Sequence, residues 1–125
     1  MTAEQVREKI AQELGRVQRA VKTGNFGLAR VCGRRAAGMA LLYWRERRPE
    51  AVSGRSFMEA LKYAAAGAGF PEEIRLTALR LVTAPGEAGK APLTLNPEDD
   101  ARTIIRYVEE QVGEPLLDPG GIRDL

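Results

Sequence analysis

Apolar residues recur at every third or fourth position through most of this chain, and that spacing restricts its fold more than any other feature. Over the first 23 residues it places five apolar side chains on one helical face: Val6, Ile10, Leu14, Val17 and Val21. Nowhere does a sustained alternation of apolar and polar residues indicate a β-strand. We therefore predict an all-α protein, an antiparallel up-and-down four-helix bundle with one short extra helix.

Start and stop signals divide the chain into segments. Thr2 and Ser56 are each followed by the Gln or Glu of a capping box, and Asn96 precedes a proline and three acidic residues. These signals predict helices over residues 2–23, 26–48, 57–66, from 71 to the loop at 84, and 97–112. Small residues along the second helix, with glycines at 33 and 38, indicate that a neighbouring backbone comes close.

The remaining segments carry many prolines and glycines. Residues 84–95 are predicted to form an exposed loop with no structure of its own. A chain of 125 residues forms one domain, which we divide into a bundle over residues 1–113 and a C-terminal tail over 114–125. The tail either packs through Leu116 and Leu117 or stays loose.

The chain contains no histidine and one cysteine, Cys32. This composition excludes histidine-based acid–base catalysis, Ser-His and Cys-His nucleophiles, disulfides and Cys clusters for metal. Cys32 lies in an apolar row and is predicted to be a buried structural thiol. We expect no catalytic residues, cofactor or metal. The N-terminus has no apolar signal segment, and no apolar stretch is long enough to span a bilayer, so we expect a cytoplasmic protein with no membrane partner.

Charge is distributed unevenly along the chain. Residues 1–48 carry 11 Lys/Arg against 4 Asp/Glu, a net +7, whereas residues 49–125 carry 8 against 13, a net −5; together these give the overall +2. Such an imbalance indicates a basic face and an acidic face. The basic face can meet phosphate or the acidic face of a second copy.

Four arginines of the second helix are the candidate binding residues for phosphate or nucleic acid: Arg30, Arg34, Arg35 and Arg45. Arg30 and Arg34 share a helical face because they are four positions apart, and Gly38 leaves a gap in side-chain cover further along. The alternative is a solvated face, or arginines paired with Glu on the acidic helices.

Other candidates have simpler explanations. Tyr43 and Trp44 can stack on a base, but they fit better as core or interface anchors, and we list them as interface candidates. The acidic run at residues 98–100 suits the first turn of a helix better than a metal site. The segment 84–91 lacks two residues that a phosphate loop requires.

Several stretches of the chain resemble the HEPN family of small helical bundles. They are Gly24-Asn25-Phe26-Gly27 with Leu28-Ala29-Arg30, then Arg35-Ala36-Ala37-Gly38-Met39-Ala40-Leu41, Ser53-Gly-Arg-Ser-Phe-Met-Glu-Ala-Leu61 and Pro97-Glu-Asp-Asp-Ala101. The resemblance covers most of residues 10–112. It implies a homodimer, and in some members of the family a partner of the nucleotidyltransferase type or RNA cleavage.

The ribonuclease members of that family use an arginine followed a few residues later by histidine. Arg102 and Arg106 have no such histidine, so no catalytic residue is carried over to this chain. We predict a non-catalytic, HEPN-like binding protein that contacts nucleotide or RNA phosphates through the basic helix face. The alternative is a protein–protein interaction or dimerisation module with no nucleic-acid ligand.

Overall fold

The computed structural model describes residues 1–67, 69–87 and 93–117, and within these ranges the chain is helical with no β-strand. Its α-helices are α1 (Ala3–Lys22), α2 (Phe26–Arg47), α3 (Phe57–Ala65), α4 (Glu72–Val82) and α5 (Pro97–Val112). The predicted all-α class is confirmed. Predictions that concern residues 88–92 of the loop and 118–125 of the tail lie outside the described residues.

α1, α2, α3 and α5 begin close to the predicted positions because their cap residues form hydrogen bonds, whereas α4 begins after Pro71 without a side-chain cap. At α1 the capping box is complete: Thr2 Oγ1 accepts from the amide of Gln5 at 3.1 Å, and Gln5 Oε1 accepts from the amide of Thr2 at 2.9 Å. At α3 Ser56 caps as predicted, but the Glu59 carboxylate accepts from the amide of Arg55 instead. The second capping box is therefore only half formed.

α2 is the central helix and contacts each of the other four. Gly24, with a φ of 77°, reverses the chain between α1 and α2, so these two helices run antiparallel. α3 packs on both α2 and α4, α4 also packs on α5, and α5 returns to α2. The short α3 is thus a full member of the compact helical bundle.

Two glycines of α2 allow this close packing. A Cβ atom at Gly38 would lie 2.7 Å from the Cα of Phe57 at the start of α3, and one at Gly33 would lie 3.0 Å from the Cβ of Pro97 at the start of α5. Both distances are shorter than a favourable carbon–carbon contact. The predicted close approach to the small residues of α2 is confirmed, and Phe57 fills the gap in side-chain cover at Gly38.

The segment between α4 and α5 is more ordered than predicted at its ends. Residues Pro85–Glu87 form a single 3-10 turn. Thr94 is buried; its hydroxyl donates to Asp100 at 2.7 Å and its amide donates to the carbonyl of Arg80 at 3.2 Å. The expectation of a loop without structure of its own is therefore wrong at these positions. At Thr94 the reason is that the Asp100 carboxylate and the Arg80 carbonyl accept its hydrogen bonds.

The tail packs on the bundle through Leu116, which is fully buried. The amides of Leu116 and Leu117 both donate to Glu109 Oε2, at 2.7 and 2.8 Å. Of the two alternatives for the tail, packing is confirmed for residues 114–117. None of the described helices has the length and apolar character needed to cross a membrane.

Candidate functional site

Arg34 joins α2 to the end of α4. Its Nε donates to the carbonyl of Leu81 at 2.5 Å and its Nη2 donates to the carbonyl of Thr83 at 3.3 Å. These carbonyls belong to the last turn and C-cap of α4, where a positive charge is favourable. Burial, and secondly the charge of Arg30, lower the pKa of Arg34 from its ordinary value. Arg34 therefore has a structural role, and Arg30 lies near enough to act on it electrostatically.

The structure does not bring the four candidate arginines together. Arg30 and Arg34 share one side of α2, whereas the exposed Arg35 lies on the side of Cys32, near enough for its charge to act on the thiol. Arg45 is 15 positions beyond Arg30, about 22 Å along the helix. Of the four, Arg30 and Arg34 are the two whose charges act on each other, and Arg34 is already bound to the end of α4.

The alternative in which these arginines pair with the acidic helices is not what the structure shows. Within the described part of the chain, no ion pair involves any of the four. One ion pair there joins the basic and acidic halves, Arg47 to Glu114 at 3.4 Å. Arg30, Arg35 and Arg45 thus have no carboxylate partner among the described residues.

Tyr43 and Trp44 lie inside the bundle, at 1% and 8% exposure. The Tyr43 hydroxyl donates to Glu114 Oε1 at 2.7 Å, and the Arg47 guanidinium lies 3.4 Å from the Tyr43 ring centroid. Trp44 meets the rings of two other aromatic residues edge to face, Phe70 and Tyr107, each at 5.8 Å. Both candidates are core residues of the monomer, because the elements around α2 enclose them, and neither is exposed for an interface.

The structure also shows a partly exposed apolar surface on α2 that the sequence prediction missed. We name it the outer face of α2 and define it by Leu28, Val31, Arg35, Met39 and Leu42. Leu28 and Val31 are 46% and 39% exposed, and Met39 and Leu42 are half-buried. The spacing of three and four positions puts these side chains in one stripe. The sequence signal for this surface is that apolar residues of α2 lie on more than one side of the helix, which is more than its four neighbours cover.

The outer face continues into a groove between α1, α2 and the start of α3. The groove has a volume of about 130 Å³, and its lining includes Val6, Lys9, Met39, Leu42 and Phe57. Its walls are mostly apolar, and its charged lining residues are Lys9 and Glu46. The groove and the outer face together form one continuous, partly apolar surface.

Cys32 is buried, as predicted, in a small cluster between α1 and α2. Burial, followed by the neighbouring Glu13 carboxylate, raises the pKa of its thiol. Glu13 is 6% exposed; its Oε2 accepts from Arg16 at 3.1 Å, and its Oε1 has no partner among the described residues. A raised pKa keeps the thiol protonated and unreactive near neutral pH.

The acidic run at the start of α5 is divided among separate partners. Glu98 accepts from Arg102 at 2.9 Å, and Asp100 accepts from Arg80 at 3.0 and 3.2 Å. Asp99 bonds to Asn96. In the described ranges no group of three or more Cys, Asp or Glu is arranged to hold a metal ion. These carboxylates thus accept hydrogen bonds from side chains at the start of α5 and on α4.

Comparisons with known proteins return no match: no protein-family model fits the sequence, and no curated protein or solved structure matches it.

Proposed function

We propose that this chain is a non-catalytic, HEPN-like helical protein of the cytoplasm that acts by binding another protein through the outer face of α2. The observation that carries the proposal is the exposure of Leu28 and Val31 in line with the half-buried Met39 and Leu42. Contiguous apolar surface on a helix, with charged groups beside it, is typical of protein interaction sites. The interaction module, which was the alternative, is therefore the function that the geometry supports best.

Energetics favour covering this face. Removing the exposed parts of Leu28 and Val31 from water is worth about 1 kcal/mol each, since both side chains are already half-covered. Met39, Leu42 and the groove beside them add further apolar area. The resemblance to HEPN proteins supplies two candidate partners, a second copy of the chain and a nucleotidyltransferase-type protein.

Site-specific photo-crosslinking in the cell of origin tests this proposal. A photoreactive amino acid replaces Val31, and in a matched control it replaces Gln111, an exposed residue of α5. We expect a defined crosslinked protein from position 31 and none from position 111, with mass spectrometry identifying the product. Equal crosslinking from both positions, or none from position 31, overturns the proposal.

A second function is supported by the pair Arg30 and Arg34. The positive charge of Arg30 contributes to the lowered pKa of Arg34, so the two guanidinium groups are close. Within the described residues neither forms an ion pair with a carboxylate. A phosphate oxygen of RNA or of a nucleotide is an anion that the Arg30 guanidinium can bind, with the positive charge of Arg34 beside it. Because Arg34 also holds the end of α4, Arg30 is the residue to change.

Titration of a fluorescent RNA oligonucleotide over a salt series tests the second function. Arg30→Glu is expected to weaken binding and to reduce its salt dependence, because a phosphate contact is lost. Arg55→Glu, at an exposed position before α3, is the matched control and is expected to bind like the parent. A parent protein that does not bind RNA, or an Arg30→Glu variant that binds equally well, excludes this function.

A further inference from the structure

We propose that the outer face of α2, with its adjoining groove, receives an acidic amphipathic helix from a different protein. This inference rests on the proposed function, because it names the kind of partner that the same surface binds. From Leu28 to Leu42 the stripe covers 15 positions, about 21 Å of helix. Apolar side chains stand in the first and last turns of that length, and Arg35 stands in the turn between them. An amphipathic helix can pack its apolar face on such a surface and place a charged side chain opposite the arginine.

The charges beside the stripe determine which kind of helix fits. Lys9 lines the groove and Arg35 lies within the stripe, and in the described structure neither has a hydrogen bond or an ion pair. Glu46, the carboxylate that lines the end of the groove, already binds the N-terminal ammonium group at 3.1 Å. The free charges at this surface are positive, and carboxylates on the flank of the incoming helix complement them.

Arg35 also argues against a second copy as the occupant. It lies midway between Leu28 and Leu42, so a twofold axis through the centre of the stripe brings it against its own counterpart. This holds whether the two helices run parallel or antiparallel. Like charges meeting in a closed interface are unfavourable, whereas an arginine beside a carboxylate forms a strong, directional pair.

Binding of two synthetic peptides by fluorescence anisotropy tests the inference. Each peptide has about 15 residues, the length that covers about 21 Å of helix, with leucines along one face. One carries glutamates on both flanks and the other carries lysines there. We expect the purified full chain to bind the glutamate peptide more tightly by roughly tenfold, with a preference that declines as salt is added.

Two variants link the binding to this surface. Arg35→Glu is expected to abolish or reverse the preference between the peptides. Val31→Ser is expected to weaken binding of the glutamate peptide several-fold. Arg55→Glu, which changes the same charge away from the surface, is expected to keep the parent's preference. Circular dichroism of each variant shows whether the fold is retained.

Three outcomes overturn the inference: equal affinity for both peptides, no binding of either, or an unchanged preference in Arg35→Glu. Self-association of the parent by sedimentation, lost in Val31→Ser, also overturns it and assigns the surface to a second copy. If position 31 crosslinks to a protein while the peptides are not distinguished, the proposed function stands and this inference fails. If position 31 does not crosslink, the proposed function fails by its own test.

Discussion

Arg34 shows how one side chain can be mistaken for part of a ligand site. It has the type and spacing of a phosphate-binding residue, yet its guanidinium is occupied by the last carbonyls of α4. Those carbonyls have no partner within their own helix, so an arginine from α2 both satisfies them and complements the helix dipole. Free cationic groups on α2 are therefore to be sought at Arg30 and Arg35.

Arg34→Met is expected to destabilise the protein by about 1–3 kcal/mol, because hydrogen bonds from a charged donor to partly buried carbonyls are lost. Urea denaturation measures the free energy of unfolding. The matched control is Arg35→Met, which removes an exposed guanidinium and is expected to change stability by less than about 0.5 kcal/mol. Equal effects of the two substitutions contradict the structural role of Arg34.

The raised pKa of Cys32 makes the protein less stable at alkaline pH. Burial and the neighbouring Glu13 raise the pKa of its thiol above the ordinary 9.0, and burial raises the pKa of Tyr43 and Tyr107 above 10.0. Above about pH 9 the unfolded chain loses these protons while the folded chain keeps them. The unfolded state then binds fewer protons, so the free energy of unfolding decreases as pH rises.

Urea denaturation at several pH values from about 8 to about 10 is expected to show this loss of stability. In Cys32→Ala the decrease just above pH 9 is expected to be smaller, because the raised pKa of the thiol no longer contributes to it. An identical pH dependence in the parent and in Cys32→Ala contradicts the assignment to the thiol.

α2 contains residues that disfavour an isolated helix but are stabilised here by packing. Glycine in a helix interior costs about 1 kcal/mol relative to alanine, and α2 contains several. At Gly38 the cost is offset because Phe57 approaches to where a Cβ atom would stand. The start of α3 can therefore lie directly on the backbone of α2.

Gly38→Ala is expected to destabilise the protein by roughly 1–3 kcal/mol, since overpacking against the backbone of Phe57 outweighs the gain in helix propensity. Gly15→Ala in α1 is the matched control. There the added methyl group meets only the flexible end of Arg19 at 3.4 Å, so we expect a gain of up to about 1 kcal/mol. Thermal unfolding that shifts both variants in the same direction contradicts this explanation.

Across the whole molecule, the tail completes the bundle. Leu116 is fully buried, Glu109 accepts from two tail amides, and the carbonyl of Pro115 accepts from Arg7 of α1 at 3.2 Å. The tail thereby links the first and last helices, with Tyr43 and Glu114 adding a hydrogen bond beneath it. Residues 114–117 belong to the folded unit.

Leu116→Ala is expected to cost about 2–5 kcal/mol of stability, the range for truncating a fully buried leucine. Leu95→Ala is the control, because Leu95 is 95% exposed and its loss is expected to change stability by less than about 0.5 kcal/mol. Urea denaturation of both variants measures the difference. A Leu116→Ala variant as stable as the control shows that the tail does not support the bundle.

The predictable parts of the fold are those that depend on residues close together in the sequence. Thr2 bonds to the amide of Gln5 and Asn96 to that of Asp99, three positions away in each case. Apolar spacing located the helices for the same reason, since residues three or four positions apart lie on one face. These interactions join residues within one helix, so they do not depend on how the helices pack together.

The candidate site depended on contacts between residues far apart in the sequence. Arg34 meets Leu81 at a separation of 47 residues, and Tyr43 meets Glu114 at a separation of 71. Helical spacing shows which side chains share a face of α2, but it does not show which face the other helices cover. That Tyr43 and Trp44 are enclosed while Leu28 and Val31 stay exposed follows from where α1, α3 and α5 pack, because burial depends on the neighbours that folding brings together.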